Sequence, residues 1–353
     1  MKKIIAFLTA IVLVFCFAGC SQNSDNAGDT TQNAAASQAE STQVSYPLTI
    51  EDQAGRSVVI EEEPKTIVSG YYITTSILIS LGQQDKLVGI EAKANTRNIY
   101  SFSAEKLLSL PSVGTAKQFD LEQCAALNPD IVILPAKLES VVPSLEELGI
   151  TAVIVNPEST ELMRETVTIL SQSLNCVDKG NALLDYADNA ISELKNEVGA
   201  DNKDVKPSVY FAGNSSYLST AGSKMYQNSL IENAGAVNVA AEIEDTYWAE
   251  ISYEQLITWN PEYIIIASDA EYTAEDLMND ENLASLDAVK NGKVYQLPDD
   301  FESWDSPVPS NFLGSIYIAS KIHPDKVSAD YLKNEVSEFY SEFYGFTADT
   351  SVL

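Results

Sequence analysis

The sequence predicts an α/β protein built as two Rossmann-like lobes with parallel central sheets, joined by a single long helix. Three observations carry this. First, one segment is written twice: residues 120–132 read DLEQCAALNPDIV and residues 252–264 read SYEQLITWNPEYI. Each copy opens on a small capping residue, Asp120 or Ser252, with Gln123 or Gln255 three places on, which suits a capping box. Each carries an acid one place before that Gln, Glu122 or Glu254, and ends in Asn-Pro-acidic and an apolar β-branched run. That order spells a short helix, a proline stop and a buried strand. The copies lie too far apart for a solenoid and suit two equivalent domains. Second, short β runs alternate with helical stretches at βαβ spacing, which implies parallel sheets. Third, residues 178–198 hold no proline and repeat apolar side chains at Leu183, Leu184, Ala187, Ala190, Ile191 and Leu194. That is a helix of about 20 residues, roughly 30 Å long, midway between the two copies. Two matched lobes held apart by a stiff rod leave a cleft.

In chain order, residues 46–60 read as a hairpin turning at Ala54-Gly55. A β run at 66–69, an apolar helix at 74–81 stopped by Gly82 and a strand at 87–90 make the first βαβ unit. A helix at 103–110, closed by Pro111, leads into the first copy of the repeat. A helix at 143–148, a strand at 152–155 and a helix from 159 to about 174 complete the first lobe. After the connector the pattern restarts with a strand at 208–211, a helix at 225–233 and the second copy, whose strand runs 263–267. A helix at 274–278, a strand at 293–297 and helices at 309–322 and 331–344 finish the chain.

A length of 353 residues allows about two domains. The formal charge of −30 is spread along the chain, and such a surface repels phosphate backbones, which excludes nucleic acid as a partner. The N-terminus is a targeting segment, with Lys2 and Lys3 before an apolar stretch at 4–17 that is too short for a comfortable membrane span. Its end, Phe17-Ala18-Gly19-Cys20, resembles the lipobox of bacterial lipoproteins, with Phe17 standing where an aliphatic residue is usual. That resemblance implies cleavage before Cys20 and diacylglycerol on its sulfur. Residues 21–45 are rich in Ser, Gln, Asn and Ala without apolar periodicity, and read as a disordered tether reaching roughly 30 Å from the membrane. The expected organisation is therefore signal peptide 1–19, lipidated tether 20–45, first lobe 46–174, connector 175–204 and second lobe 205–353. Cys16 leaves with the leader, and the remaining Cys124 and Cys176 make no disulfide framework; Cys124 falls on the apolar face of its helix.

Several local motifs, in order, resemble one family. They are residues 49–56 (TIEDQAGR), 65–69 (KTIVS) with 81–89 (LGQQDKLVG), Pro111-Ser112-Val113-Gly114, and 126–132 (ALNPDIV). The chain resembles the iron-chelate and vitamin B12 class of bacterial solute-binding proteins, the extracytoplasmic receptors of ABC importers, over nearly all of its folded length. The resemblance implies the helical-backbone periplasmic-binding-protein fold, with one solute held between two rigid lobes, and a monomer that makes and breaks no bond. It also implies that one glutamate on each lobe, here Glu122 and Glu254, docks onto arginines of a permease dimer. Two carboxylates held at a fixed distance suit a twofold pair of cations.

Cleft residues belong to loops at the carboxyl ends of the strands. Those loops hold Tyr71, Tyr72, Arg97, Tyr100 and Phe119 in the first lobe, and Tyr217, Tyr247, Trp248, Asp300, Phe301 and Trp304 in the second. Likeness to the B12-binding member implies ligand contact for Tyr217, Trp248 and Asp300. Many aromatics and few cations suit a large, flat, partly apolar ligand: a ferric siderophore, haem or cobalamin. Of the three arginines (Arg56, Arg97, Arg164) only Arg97 is in a cleft loop, which disfavours strongly anionic siderophores. Either Tyr71 or Tyr72 is a candidate axial ligand for haem iron. The one histidine, His323, precedes Pro324 at a helix end, where a structural surface role is expected; bare-metal relatives of the fold use several histidines. No two glycines have the spacing of a dinucleotide fingerprint, a nucleophile elbow or a phosphate loop. An anchored surface hydrolase, or an adhesin reusing the fold without a small ligand, are the alternatives.

Overall fold

A computed structural model describes residues 43–200, 206–244 and 248–353. The leader, Cys20 and most of the tether lie outside the described residues, as does Tyr247. No helix of the described residues is long and apolar enough to cross a membrane.

Strands β1 (Leu48–Glu51) and β2 (Ser57–Ile60) pair antiparallel, and Gly55 takes the left-handed φ of 74° that the turn requires. The first lobe then runs β3 (Ile67–Ser69), α1 (Tyr72–Ser80), β4 (Leu87–Gly89), α2 (Asn98–Ser103), and the small ribbon β5 (Gly114–Thr115) and β6 (Gln118–Phe119). It continues through α3 (Leu121–Ala126), β7 (Ile131–Pro135), α4 (Val142–Glu147), β8 (Thr151–Val155) and α5 (Thr160–Ser173). Its sheet has the order β4-β3-β7-β8, all parallel. Covered on both faces, β7 is buried throughout, as strands of parallel sheets are. The helix expected at 103–110 divides instead into α2 and a 3₁₀ segment, Glu105–Ser109. Ala104 breaks it at φ −156°, and Ile99, Tyr100 and Leu107 are buried in the core on either side of the break.

The connector α6 (Val177–Val198) packs against α5 and against a helix of the second lobe, burying Leu183, Ala190, Leu194 and Val198. Gly180 permits the close crossing with α5, since a Cβ there would stand 2.5 Å from Ser171 Oγ. Gly199, at φ 70°, ends the helix in the left-handed conformation.

The second lobe runs β9 (Ser208–Ala212), β10 (Ser219–Ala221), α7 (Tyr226–Asn233), β11 (Val237–Asn238), β12 (Trp248–Glu250), α8 (Tyr253–Trp259) and β13 (Tyr263–Ile266). After these come α9 (Ala274–Met278), α10 (Asp287–Lys290), β14 (Val294–Gln296), α11 (Phe312–Ile322) and α12 (Ala329–Phe339), the last running into a π turn at Tyr340–Tyr344. The parallel order β11-β9-β13-β14 repeats the order of the first sheet. One feature has no counterpart there: β10 runs antiparallel to both β9 and β12, so this sheet is mixed at one edge.

The duplicated segment is a duplication of backbone as well as of letters. Asp120 Oδ1 accepts from the Gln123 amide at 2.9 Å and Ser252 Oγ from the Gln255 amide at 3.2 Å. Asn128 and Asn260, each before its proline, both take left-handed φ, 46° and 40°. The reciprocal half of the capping box does not form at either cap; the complete box occurs at Thr273 with Asp276. Cys124, on the inner face of α3, is fully buried and Cys176 partly so, both as free thiols.

The lobes also meet away from α6, and Ser41–Leu353 is a single compact unit. Ser76 on α1 donates to Glu302 at 2.5 Å and lies 2.8 Å from the Tyr344 hydroxyl. Phe102 stacks on Phe346 with ring centroids 5.1 Å apart.

Candidate functional site

The carboxyl ends of β3, β4, β9, β13 and β14 converge on a cleft made of two adjoining cavities, about 340 Å³ and 500 Å³, which share Asp269 and Ser306. The smaller lies between Tyr72, Lys93 and Arg97 of the first lobe and Asp299, Phe301 and Glu302 of the second. The larger lies between Glu158 of the first lobe and Met225, Gln227, Trp248, Glu250 and Asp305 of the second.

Tyr72 opens α1, and Arg97 caps α2 from an extended backbone. The guanidinium carbon of Arg97 is 3.9 Å from the centroid of the Tyr72 ring. Among the described residues Arg97 forms no ion pair, and its Nε is buried without an acceptor. Beside it Lys93 holds a left-handed φ of 69°, uncommon for a residue with a Cβ. Beneath these cations, Glu91 is buried and accepts from Thr75 Oγ1 at 2.7 Å and Tyr100 Oη at 2.6 Å. Glu302 is buried and accepts from Ser76 and from Ser310 at 2.7 Å. Burial pushes both carboxyls above their ordinary range, against the hydroxyl donors that lower them. Asp305, in the larger cavity, is pushed up to about 6, chiefly by burial.

The structure distributes the expected ligand residues unevenly. Tyr72, Arg97, Tyr100 and Trp248 line the cavities. Tyr100 does so as floor, 1% exposed with its hydroxyl committed to Glu91. Tyr71 stands behind Tyr72, edge-on at 5.2 Å, and donates to Glu158 at 3.3 Å. Burial raises the phenols of both Tyr71 and Tyr72.

Four expectations are corrected in placement. Trp304 is 1% exposed, its indole donates to Tyr340 Oη at 3.0 Å, and it belongs to the core. Tyr217 donates to Asp280 at 2.5 Å and packs edge-on against Tyr272, so a second-lobe cluster holds it outside both cavities. Phe119 packs beside Leu134 at the end of the first sheet and lines neither cavity. Asp299 occupies the wall where Asp300 was expected. Glu122 and Glu254 are both exposed in the first turns of α3 and α8. His323 is half-buried rather than on the surface; it caps α11, and burial lowers its pKa. Among the described residues no group of three or more His, Cys, Asp or Glu side chains is arranged to hold a metal ion.

Sequence reasoning missed Lys93, Glu158, Gln227, Asp269 and Asp305, whereas Asp299 and Glu302 lie in the loop at 299–304 that the carboxyl-end rule selects. Asp269 follows β13, so the carboxyl-end rule would have found it had the loop after that strand been included. Gln227 lies inside α7, where no sequence signal marks it.

A cavity of this size walled by two lobes of one topology is what a receptor that holds a solute between its halves presents. The chain belongs to the periplasmic binding protein family, whose model matches residues 67–301. It is a solute-binding protein of the ABC-importer type. It is 24% identical to the molybdate-binding protein MolA of Haemophilus influenzae, over 84% of this chain and 90% of that one. It is likewise 24% identical to YvrC, an uncharacterized ABC transporter substrate-binding lipoprotein of Bacillus subtilis, over 92% and 99%. A cobalamin-binding protein of Halobacterium salinarum is 24% identical over 71% of this chain and 66% of its own length. In three dimensions it resembles a periplasmic solute binding protein from Veillonella parvula, with a TM-score of 0.75, 25% identity, and coverage of 86% of this chain and 95% of that one.

Proposed function

We propose that this chain captures a metal chelate in the interlobe cleft and delivers it to the permease dimer of an ABC importer, from the outer face of a membrane to which Cys20 is lipid-anchored. The observation that carries the reading is the cleft itself. It has two linked cavities, an exposed indole at Trp248 in one, and a Tyr72–Arg97 stack with an unpaired guanidinium nitrogen in the other. Such a mixture of π faces and a few directed polar groups suits a bulky, partly apolar guest. Among the three expected classes a corrinoid fits best. The Tyr71 hydroxyl is committed to Glu158 and Arg97 covers the Tyr72 ring, which weighs against either as a haem ligand, and the scarcity of cleft cations weighs against polyanionic siderophores. Molybdate, the ligand named for one relative, is a small dianion, and most charged side chains of this cleft are acidic.

On this reading residues 46–174 and 205–353 are the two gripping lobes and 175–204 the link between them. Glu122 and Glu254 are the docking carboxylates, at equivalent places on equivalent helices. Titration of the chain with cobalamin, haem and a panel of ferric siderophores, read by quenching of Trp248, tests the capture step. No response to any of them at micromolar concentration sinks it. Replacing Glu122 and Glu254 together with Lys should abolish uptake and leave ligand affinity unchanged; weakened binding would make them structural. Cys20→Ser should release the protein from membranes into the soluble fraction.

A further inference from the structure

We propose that the larger cavity is a subsite for a cationic, hydrogen-bond-donating group of the solute, so that the receptor selects cationic, amide- or amine-bearing chelates over polyanionic ones. This rests on the chelate-capture reading and goes beyond it, because it assigns the charge and polarity of the guest.

Two independent observations support it. The first is the charge of the wall. Glu158, Glu250, Asp269 and Asp305 line this cavity, and among the described residues no Lys or Arg does. Asp269 is shared with the smaller cavity, so the negative field continues across the cleft. The second is an unsatisfied acceptor. Gln227 is 6% exposed, and its Nε2 donates to the Asp305 carbonyl at 2.9 Å. That bond fixes the amide orientation and leaves Oε1 buried without a partner. A buried acceptor with nothing to accept is a costly arrangement in a bare protein, and a ligand N–H relieves it. Trp248 adds an indole that is 38% exposed on the same cavity, and indole faces attract cations. A polyanion placed there would meet carboxylates and an acceptor, with no donor side chain of positive charge. At the opposite end Arg97 and Lys93 supply the donors, so an acceptor group of the same solute belongs in the smaller cavity.

The test uses four probes on the full chain: diaquacobinamide, a cation rich in primary amides; cyanocobalamin, without net charge; ferric enterobactin, a trianion; and molybdate. Diaquacobinamide should bind more tightly than either anion by at least about tenfold, and its affinity should fall as salt is raised to about 0.5 M. Glu158→Gln with Asp269→Asn should weaken the cationic corrinoid by about tenfold and leave the anions unchanged or improved. Gln227→Leu should weaken it similarly. Because the same Glu158→Gln, Asp269→Asn protein keeps or improves its binding of the anions, that protein's loss cannot come from misfolding. Tighter binding of ferric enterobactin or molybdate than of the corrinoid overturns the assignment, as does a Glu158→Gln, Asp269→Asn protein whose affinity for the corrinoid is unchanged. Failure of every chelate to bind overturns the capture reading itself, which separates the two outcomes.

Discussion

Arg97 lies with its guanidinium 3.9 Å from the Tyr72 ring centroid, and among the described residues no carboxylate pairs with it. The nearby buried acids, Glu91 and Glu302, are already engaged by hydroxyl donors. The ring orients the cation without neutralising it, and its hydrogen-bonding capacity stays open to the cleft. Arg97→Gln should therefore lower chelate affinity by about 10- to 100-fold, the worth of a charge-assisted hydrogen bond. Thermal stability should change little, because no internal ion pair is lost. Calorimetric titration beside a melting curve checks both, and an equal affinity would place the solute elsewhere.

Trp248 is held by what it lies against. A Cβ at Gly213 would stand 2.8 Å from its ring and 3.1 Å from the Ser219 carbonyl oxygen. Gly213→Ala should displace the indole, alter its emission maximum and reduce chelate quenching. It should cost about 1–3 kcal/mol of stability through overpacking. Unchanged emission would mean that the ring is not seated on Gly213.

Ser76 and Glu302 tie α1 to the second lobe at a buried point. Ser76→Ala leaves that carboxylate with one donor fewer, and should destabilise the chain by about 1–3 kcal/mol in urea at neutral pH. Because burial already raises the Glu302 pKa, the loss should shrink in acid, where the carboxyl is protonated in both states. A loss independent of pH would assign the cost to packing alone.

Asp305 gives a pH signature of definite sign. Its pKa rises from 3.8 to about 6 on folding, so the folded protein holds its proton more tightly than the unfolded chain. Its contribution favours folding below about pH 4 and is lost as pH rises through about 6. The span is about 3 kcal/mol at full effect. Asp305→Asn should remove that part of the slope between pH 4 and 7. Parallel stability profiles for the two proteins would show that the carboxyl titrates normally.

Much of the architecture was legible because it is encoded locally. Caps at Asp120 and Ser252, stops at Asn128-Pro129 and Asn260-Pro261, and all-apolar strands such as β7 and β13 act within one or two turns of chain. The connector was legible from periodicity over many residues. The break at Ala104 and the antiparallel β10 were not, because distant packing and pairing decide them. Within the cleft, residue type alone did not separate Trp248 from Trp304. Both are tryptophans in second-lobe loops or loop edges, yet one faces the cavity and the other bonds Tyr340 in the core.

By itself the sequence determined that this chain is two α/β halves of common plan, linked by a helix and carrying aromatics at the strand ends. Tertiary structure alone decided which of those aromatics meet solvent in the cleft, and which acids join them there. Loop side chains differ in role through the neighbours that arrive from remote segments, as Gln227 from inside α7 meets Asp305 from the other end of the lobe. Local patterning encodes backbone conformation, whereas exposure and charge at a site are sums over contacts distant in the chain.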